Sequence, residues 1–242
     1  MRDGPGRFFV GANLPWIDYG GDVGANAWSP AGGVSRPDRA ARLDAVLARA
    51  AERGITTVRW FLLCDGRAGI TVDERGRPVG LDHCVRRDLD AALGTLERRG
   101  VRALFVLFDF LLLHRRREHR GVQMFGRRQW VRDRDARARL LEQVVAPLVA
   151  HAGGAAAVAG WDLMNEPEWV TYGLGGWRPW RCGSRATMRA FLRETMLAVR
   201  EAGAAPITVG LASVRGLDLV RGLGLDVYQV HWYDHVDHPS TL

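Results

Sequence analysis

The sequence contains no lysine; every one of its 34 basic residues is arginine. That absence removes three chemistries, because a P-loop needs its lysine, and Schiff-base aldolases and pyridoxal-phosphate enzymes need an amine nucleophile. No other cofactor motif stands in their place, and none is expected. Cysteine is scarce too. Cys64, Cys84 and Cys182 are odd in number and widely spaced, which argues against a disulfide framework and against a zinc site. No apolar run is long and charge-free enough to span a membrane, and no apolar segment precedes Phe8-Phe9-Val10 that would read as a secretory signal. The expectation is a cytoplasmic chain without membrane attachment.

What is present is an ordinary globular balance, 47% hydrophobic and 25% charged over 242 residues, enough for one sizeable core and a single domain over residues 1–242. The net charge of +7 raises the question of nucleic acid. The arginines are dispersed, however, apart from Arg115-Arg116-Arg117 and Arg120, and no nucleic-acid motif accompanies them. The segment 114–120 reads as a solvated loop, with recruitment of an anionic ligand as the weaker alternative.

Strand and helix patterns alternate along the chain, which argues for a parallel sheet or barrel. Strands are expected at Phe8–Gly11, Ile55–Leu63, Val101–Phe108, Ala155–Met164, Ile207–Leu211 and Asp226–Asp234. Helices are expected from about Asp38 to Gly54, at Leu81–Arg99, at Asp135–Ala150 with Pro147 kinking or ending it early, at Ser184–Ala202, and briefly near Leu217–Leu223. The loop from Ala12 to Ser35 is long and carries Trp16, Tyr19 and Trp28, and long aromatic loops are unusual unless they bind something.

The chemistry concentrates at Asn165-Glu166-Pro167. Pro167 has no amide to continue a ladder, so the strand stops near Met164 and Glu166 stands at a strand's carboxyl end, the edge where reacting groups gather in parallel α/β architectures. An amide side chain and nearby tryptophans provide surroundings that suit a general acid. The tripeptide also has a plainer reading as a turn that opens the next helix. The following loop holds Trp169, Tyr172, Trp177 and Trp180. Indole rings can stack on the apolar C–H faces of sugars and hydrogen-bond their edges, although some of these rings would simply pack the loop down. Arg59 is a charge in an apolar strand, needing a partner if buried or facing outward toward a helix. Asp109, at a strand end, either contacts substrate or only initiates its loop. The residues His231, Asp234, His235, Asp237 and His238 have no helix-fixed metal-ligand spacing, so no metal is assigned to them.

With these residues in place, the sequence resembles the cellulase and β-mannanase superfamily of retaining glycoside hydrolases, the clan A (β/α)8 barrels. In that family Asn-Glu-Pro closes the fourth strand. The resemblance implies that Glu166 is the catalytic acid/base and that Asn165 hydrogen-bonds the sugar's 2-hydroxyl. It further implies that Arg59 on strand two supports the carboxylate, and that His231 and Tyr233 at the end of strand six line the cleft. Trp16, Trp169, Trp177, Trp180 and Asp109 are the further candidates for saccharide contact. The implied partner is an oligo- or polysaccharide with β-linked glucose, mannose or related units. About six βα units can be counted where the barrel has eight. The resemblance therefore implies an incomplete barrel, without the nucleophilic glutamate of strand seven and the tryptophan of strand eight. Open barrel edges would also favour self-association. A catalytically silent saccharide binder on the same partial barrel is the alternative.

Overall fold

A computed structural model describes residues 10–232. In chain order its strands and helices are β1 (Gly11–Asn13), α1 (Pro37–Glu52), β2 (Thr57–Phe61), β3 (Ile70–Val72), β4 (Pro78–Leu81), α2 (Val85–Arg98) and β5 (Arg102–Asp109). There follow β6 (Arg117–His119), β7 (Val122–Met124), α3 (Arg128–Arg132), α4 (Arg134–Leu140), α5 (Ala146–Ala152), β8 (Val158–Asn165), α6 (Arg185–Ala202), β9 (Ile207–Leu211), α7 (Leu217–Val220) and β10 (Gln229–Val230). Six strands form one sheet in the order β1-β2-β5-β8-β9-β10, every pair parallel. The order follows the chain once two hairpins are set aside, which is the winding of a (β/α) barrel carried through six strands. Among the described residues both β1 and β10 are open edges, and no helix is long and apolar enough to cross a membrane.

The sheet separates its two faces by strand periodicity. On β2, Val58 and Trp60 are buried toward the helices, while Thr57, Arg59 and Phe61 face the concave side. Trp60, Phe105 and Trp161 continue the helix-facing layer across β2, β5 and β8, with ring centroids 6.1 and 5.6 Å apart. Burying each of these rings contributes roughly 2–3 kcal/mol, so the middle of the sheet is its most firmly held part. The helices cover it with Leu43 and Leu47 from α1, Leu89 and Leu96 from α2, and Met188, Phe191 and Leu192 from α6. Ser184 caps α6, its hydroxyl accepting from the Thr187 amide at 3.1 Å.

Three expectations about elements are corrected. Pro147 does not end its helix early. The chain passes through a π turn at Leu141–Val145, and α5 restarts with the proline in its first turn, where no amide is required. The segment 114–120 is no plain loop, since Arg117–His119 pairs with Val122–Met124 as an antiparallel hairpin across a glycine turn. A second hairpin, β3 with β4, occupies the stretch before α2. The first strand begins at Gly11, with Phe8 and Phe9 outside the described residues, and β10 covers only two positions of the longer strand expected at Asp226–Asp234. The long loop after β1 is fastened by buried carboxylates. Asp22 accepts from the amides of Ile17 and Asp18 and from the Trp60 indole, and Asp88 of α2 accepts from the amides of Gly24, Gly33 and Ser35.

Candidate active site

The concave face of the sheet opens at the strands' carboxyl ends into a cleft of about 880 Å³. Arg59, Asp109, Asn165, Glu166, His231 and Trp16 all line it. These residues come from four strand ends and one loop, and the parallel register brings them together: Asp109 pairs with Asn165, and Asn165 with Gly210.

Glu166 leaves β8 in the left-handed region, φ 48° and ψ 52°. A side chain there costs roughly 1–3 kcal/mol, a strain typical of functional positions. Its amide donates to the Gly210 carbonyl at 2.6 Å, and the turn directs the carboxyl into the cleft. One carboxyl oxygen, Oε1, lies 2.7 Å from His231 Nδ1; the other, Oε2, accepts from the Trp169 indole at 2.9 Å. The group is buried to 8% exposure, so both contacts act where water screens little.

Arg59 is paired inside the site. Its Nε and Nη2 donate to Asp162 Oδ2 at 3.0 and 2.7 Å, and Nη2 also donates to Asn165 Oδ1 at 2.9 Å. It thus orients the amide immediately before Glu166. Asn165 itself lines the cleft. Asp162 is fully buried and takes a further bond from the Gly210 amide at 2.9 Å. Burial pushes its carboxyl above the ordinary range, and the Arg59 charge pulls it back. The pair fits because residue 210 is glycine: a Cβ there would stand 2.6 Å from Arg59 Nη2 and 2.8 Å from Asp162 Oδ2. Asp162 was open to detection by the signal that picked out Arg59, since each is a lone charge in an apolar strand and the charges are opposite.

Asp109 initiates its loop and also lines the cleft. It caps the short turn Phe110–Leu113, accepting from the Leu111 amide at 2.9 Å. Burial, reinforced by the charges of Asp65 and Glu166, raises its carboxyl to about 7. Across the cleft stand Tyr19, one of the aromatics that marked the loop after β1 as a binding segment, and Arg67, which the sequence did not single out. Arg67 forms a two-point ion pair with buried Asp65, both contacts 2.8 Å, and lies over the Tyr19 ring at 4.5 Å. Glu168 is a second buried carboxyl missed in the sequence. It accepts from the Ala212 amide at 2.8 Å, and burial raises it to about 7.

The tryptophans divide. Trp16 lines the main cleft, in edge contact with Tyr19 and Phe61. Trp169 touches Glu166 with its N–H and turns its ring to a neighbouring cavity, which Trp177 also lines. Trp180 is 67% exposed and lines neither. Tyr233 and Asp234 lie outside the described residues. One grouping with metal-ligating side chains, Asp82-His83-Cys84, occurs among the described residues. Its carboxylate is already engaged by the amides of Ala25, Gly69 and Cys84.

Known proteins resemble this chain in sequence and in fold. No family model matches the sequence. A mannan endo-1,4-beta-mannosidase from Mytilus edulis is 25% identical over 161 residues, 66% of this chain and 40% of that protein. The chain thus spans about two fifths of the length of that curated relative. The solved β-mannanase from the same mussel superposes with a TM-score of 0.75 at 23% identity, covering 94% of this chain and 70% of its own. The β-1,4-mannanase of the sea hare Aplysia kurodai gives 0.78 at 20% identity, with coverages of 96% and 73%. An endo-1,4-beta-mannanase of Eisenia fetida gives 0.75 at 23%, with 92% and 67%. The expected likeness to the cellulase and β-mannanase barrels is met in both sequence and fold.

Proposed function

We propose that this protein is a glycoside hydrolase acting on β-1,4-mannan or a closely related β-linked polysaccharide, with Glu166 as the acid/base. The observation that carries this reading is the environment of Glu166: a carboxyl at a strand end, strained into the cleft, clamped between an imidazole and an indole. The indole N–H fixes Oε2 as acceptor, so the mobile proton belongs on Oε1, where His231 Nδ1 can hold it until a glycosidic oxygen takes it. Asn165 donates to the sugar's 2-hydroxyl, and the Arg59–Asp162 pair keeps Asn165 oriented. Likeness to the mussel, sea-hare and Eisenia fetida mannanases supports mannan as the substrate class.

The reaction proceeds with retention in this reading. That requires a second carboxyl about 5 Å from Glu166 to attack the anomeric carbon. In sheet order its place is beyond the β10 edge, which no described strand covers, so the reading takes the attacking carboxyl to be supplied from outside the described residues. The test is to incubate the protein with β-1,4-mannohexaose, count new reducing ends, and follow the first-formed anomer by NMR. New ends with the β-anomer formed first are expected. The α-anomer would overturn retention, and binding without new ends would establish a saccharide binder in place of an enzyme.

A further inference from the structure

Beside the cleft, on the far side of the Trp169 ring, lies a cavity of about 650 Å³. Its charged walls are all of one sign. Arg115 and Arg117 reach it from the hairpin, Arg128 from the start of α3, and Arg178 and Arg181 from the loop after β8. No carboxylate among the described residues lines it.

Some surface arginines elsewhere are matched, Arg77 with Asp73, Arg99 with Asp44 and Arg200 with Asp226. None of the five cavity arginines takes part in an ion pair among the described residues. Arg128 spends its Nε on the Leu113 carbonyl at 2.7 Å, leaving its terminal nitrogens for the cavity. Burial and the neighbouring charges of Arg132 and Arg181 lower its pKa, and Arg128 and Arg117 together with burial lower that of His114. Like charges gathered around a half-enclosed space are unfavourable unless an anion enters it. The loop carrying Arg178 and Arg181 is anchored, since Arg132 donates to the carbonyls of Pro179 and Cys182.

The lining also contains a sugar-like surface. The rings of Trp169 and Trp177 face the space together with Phe125, and Trp177 is 79% exposed and free to stack. Guanidinium forks suit a carboxylate or sulfate with two-point bonds, and the indoles suit a pyranose face.

We propose that this cavity is a subsite for an acidic sugar unit of the polysaccharide, one bearing a carboxylate or an ester-linked oxyanion, next to the bond presented to Glu166. The inference rests on the glycoside hydrolase reading, because it places the acidic unit on the same chain that occupies the cleft. The substrate is then a mixed or decorated polysaccharide, with a neutral unit at the acid and a charged one a short step away.

Calorimetric titration of the protein with β-1,4-mannohexaose and with β-1,4-mannuronate hexamer, which differ only in the C6 carboxylate, tests the assignment. One added charge-assisted contact corresponds to about tenfold in affinity, so the mannuronate should bind at least that much more tightly at low salt and lose part of the advantage as salt rises. The double variant Arg178→Gln/Arg181→Gln should lose the preference and keep its affinity for mannohexaose. A sulfated mannohexaose preferred equally would assign the site to oxyanions in general, and mannuronate preferred over it would assign it to carboxylates; both support an anionic subsite. Equal binding of the neutral and charged hexamers, or a preference that survives the double substitution, would overturn it. Single-stranded DNA competing as well as the mannuronate would overturn the saccharide assignment. Failure of the underlying hydrolase reading is separately visible as failure to cut mannohexaose.

Discussion

The cleft and the arginine-lined cavity beside it are built on different terms. The strand wall, on the cleft, holds Arg59, Asp162, Asn165, Glu166 and His231, every one buried or nearly so and tied to its neighbours at 2.7–3.0 Å. The loop wall, on the neighbouring cavity, holds Trp177, Arg178 and Arg181, all exposed, on a segment fastened to the body by Arg132. Groups that handle a proton need fixed geometry, and rigid strands supply it. Groups that recognise a polymer need open faces and unspent donors, and a loop supplies those. The comparison implies that damage to the strand wall appears as lost stability or lost rate, whereas damage to the loop wall appears as altered preference among ligands.

The largest effect should come from breaking the strand wall at its buried ion pair. Asp162→Ala leaves the Arg59 guanidinium without its partner at a site the cleft barely hydrates, and a loss of about 3–5 kcal/mol in chemical denaturation is expected. A loss below about 1 kcal/mol would mean that water replaces the carboxylate and that the wall is less rigid than described.

Next comes a gain. Asp109 titrates near 7 in the folded chain against 3.8 when free, so the native state holds that proton more tightly than the unfolded chain does. Its burial costs nothing below about pH 4. The cost grows as pH rises and is complete above 7, approaching about 4 kcal/mol at about 1.4 kcal/mol per unit. Asp109→Asn, which can still accept from Leu111, should therefore be more stable than wild type at pH 8 and little different at pH 4. Glu168, also raised to about 7, keeps part of the slope in the variant. Identical pH profiles for the two proteins would refute the assignment to Asp109.

A smaller effect is expected where the walls meet. Trp169→Phe keeps the ring and removes the N–H that Glu166 Oε2 accepts, a hydrogen bond worth about 0.5–1.5 kcal/mol. Turnover of mannohexaose should fall about threefold to tenfold with KM little changed. The smallest effect should be that of Trp180→Ala, whose ring lines neither cavity: stability within about 0.5 kcal/mol and affinity for both hexamers unchanged.

The same division governs what the sequence disclosed. Strand β9 appears at the residues that apolar patterning marked, α6 begins at its serine cap, and β8 ends where Pro167 removes the amide. These elements are specified by their own side chains, so local rules suffice. The hairpins β3–β4 and β6–β7 were not legible, because strands of only three or four residues owe their pairing to turns and to contacts with distant loops. The π turn before Pro147 was likewise hidden, since a helix has more than one way to accommodate a proline. At the site, Glu166 and Asn165 stood out through their motif. Arg67 and Glu168 did not, since their role depends on packing from elements far apart in sequence.

The account's central claim is that Glu166 delivers the proton to the leaving oxygen, and kcat for mannohexaose hydrolysis in Glu166→Gln tests it most directly, with binding followed in parallel. Glutamine keeps an oxygen and similar bulk but has no carboxyl proton. The account predicts a fall of about a hundredfold to ten-thousandfold in kcat with affinity preserved. A Glu166→Gln variant that turns over at the wild-type rate would contradict it.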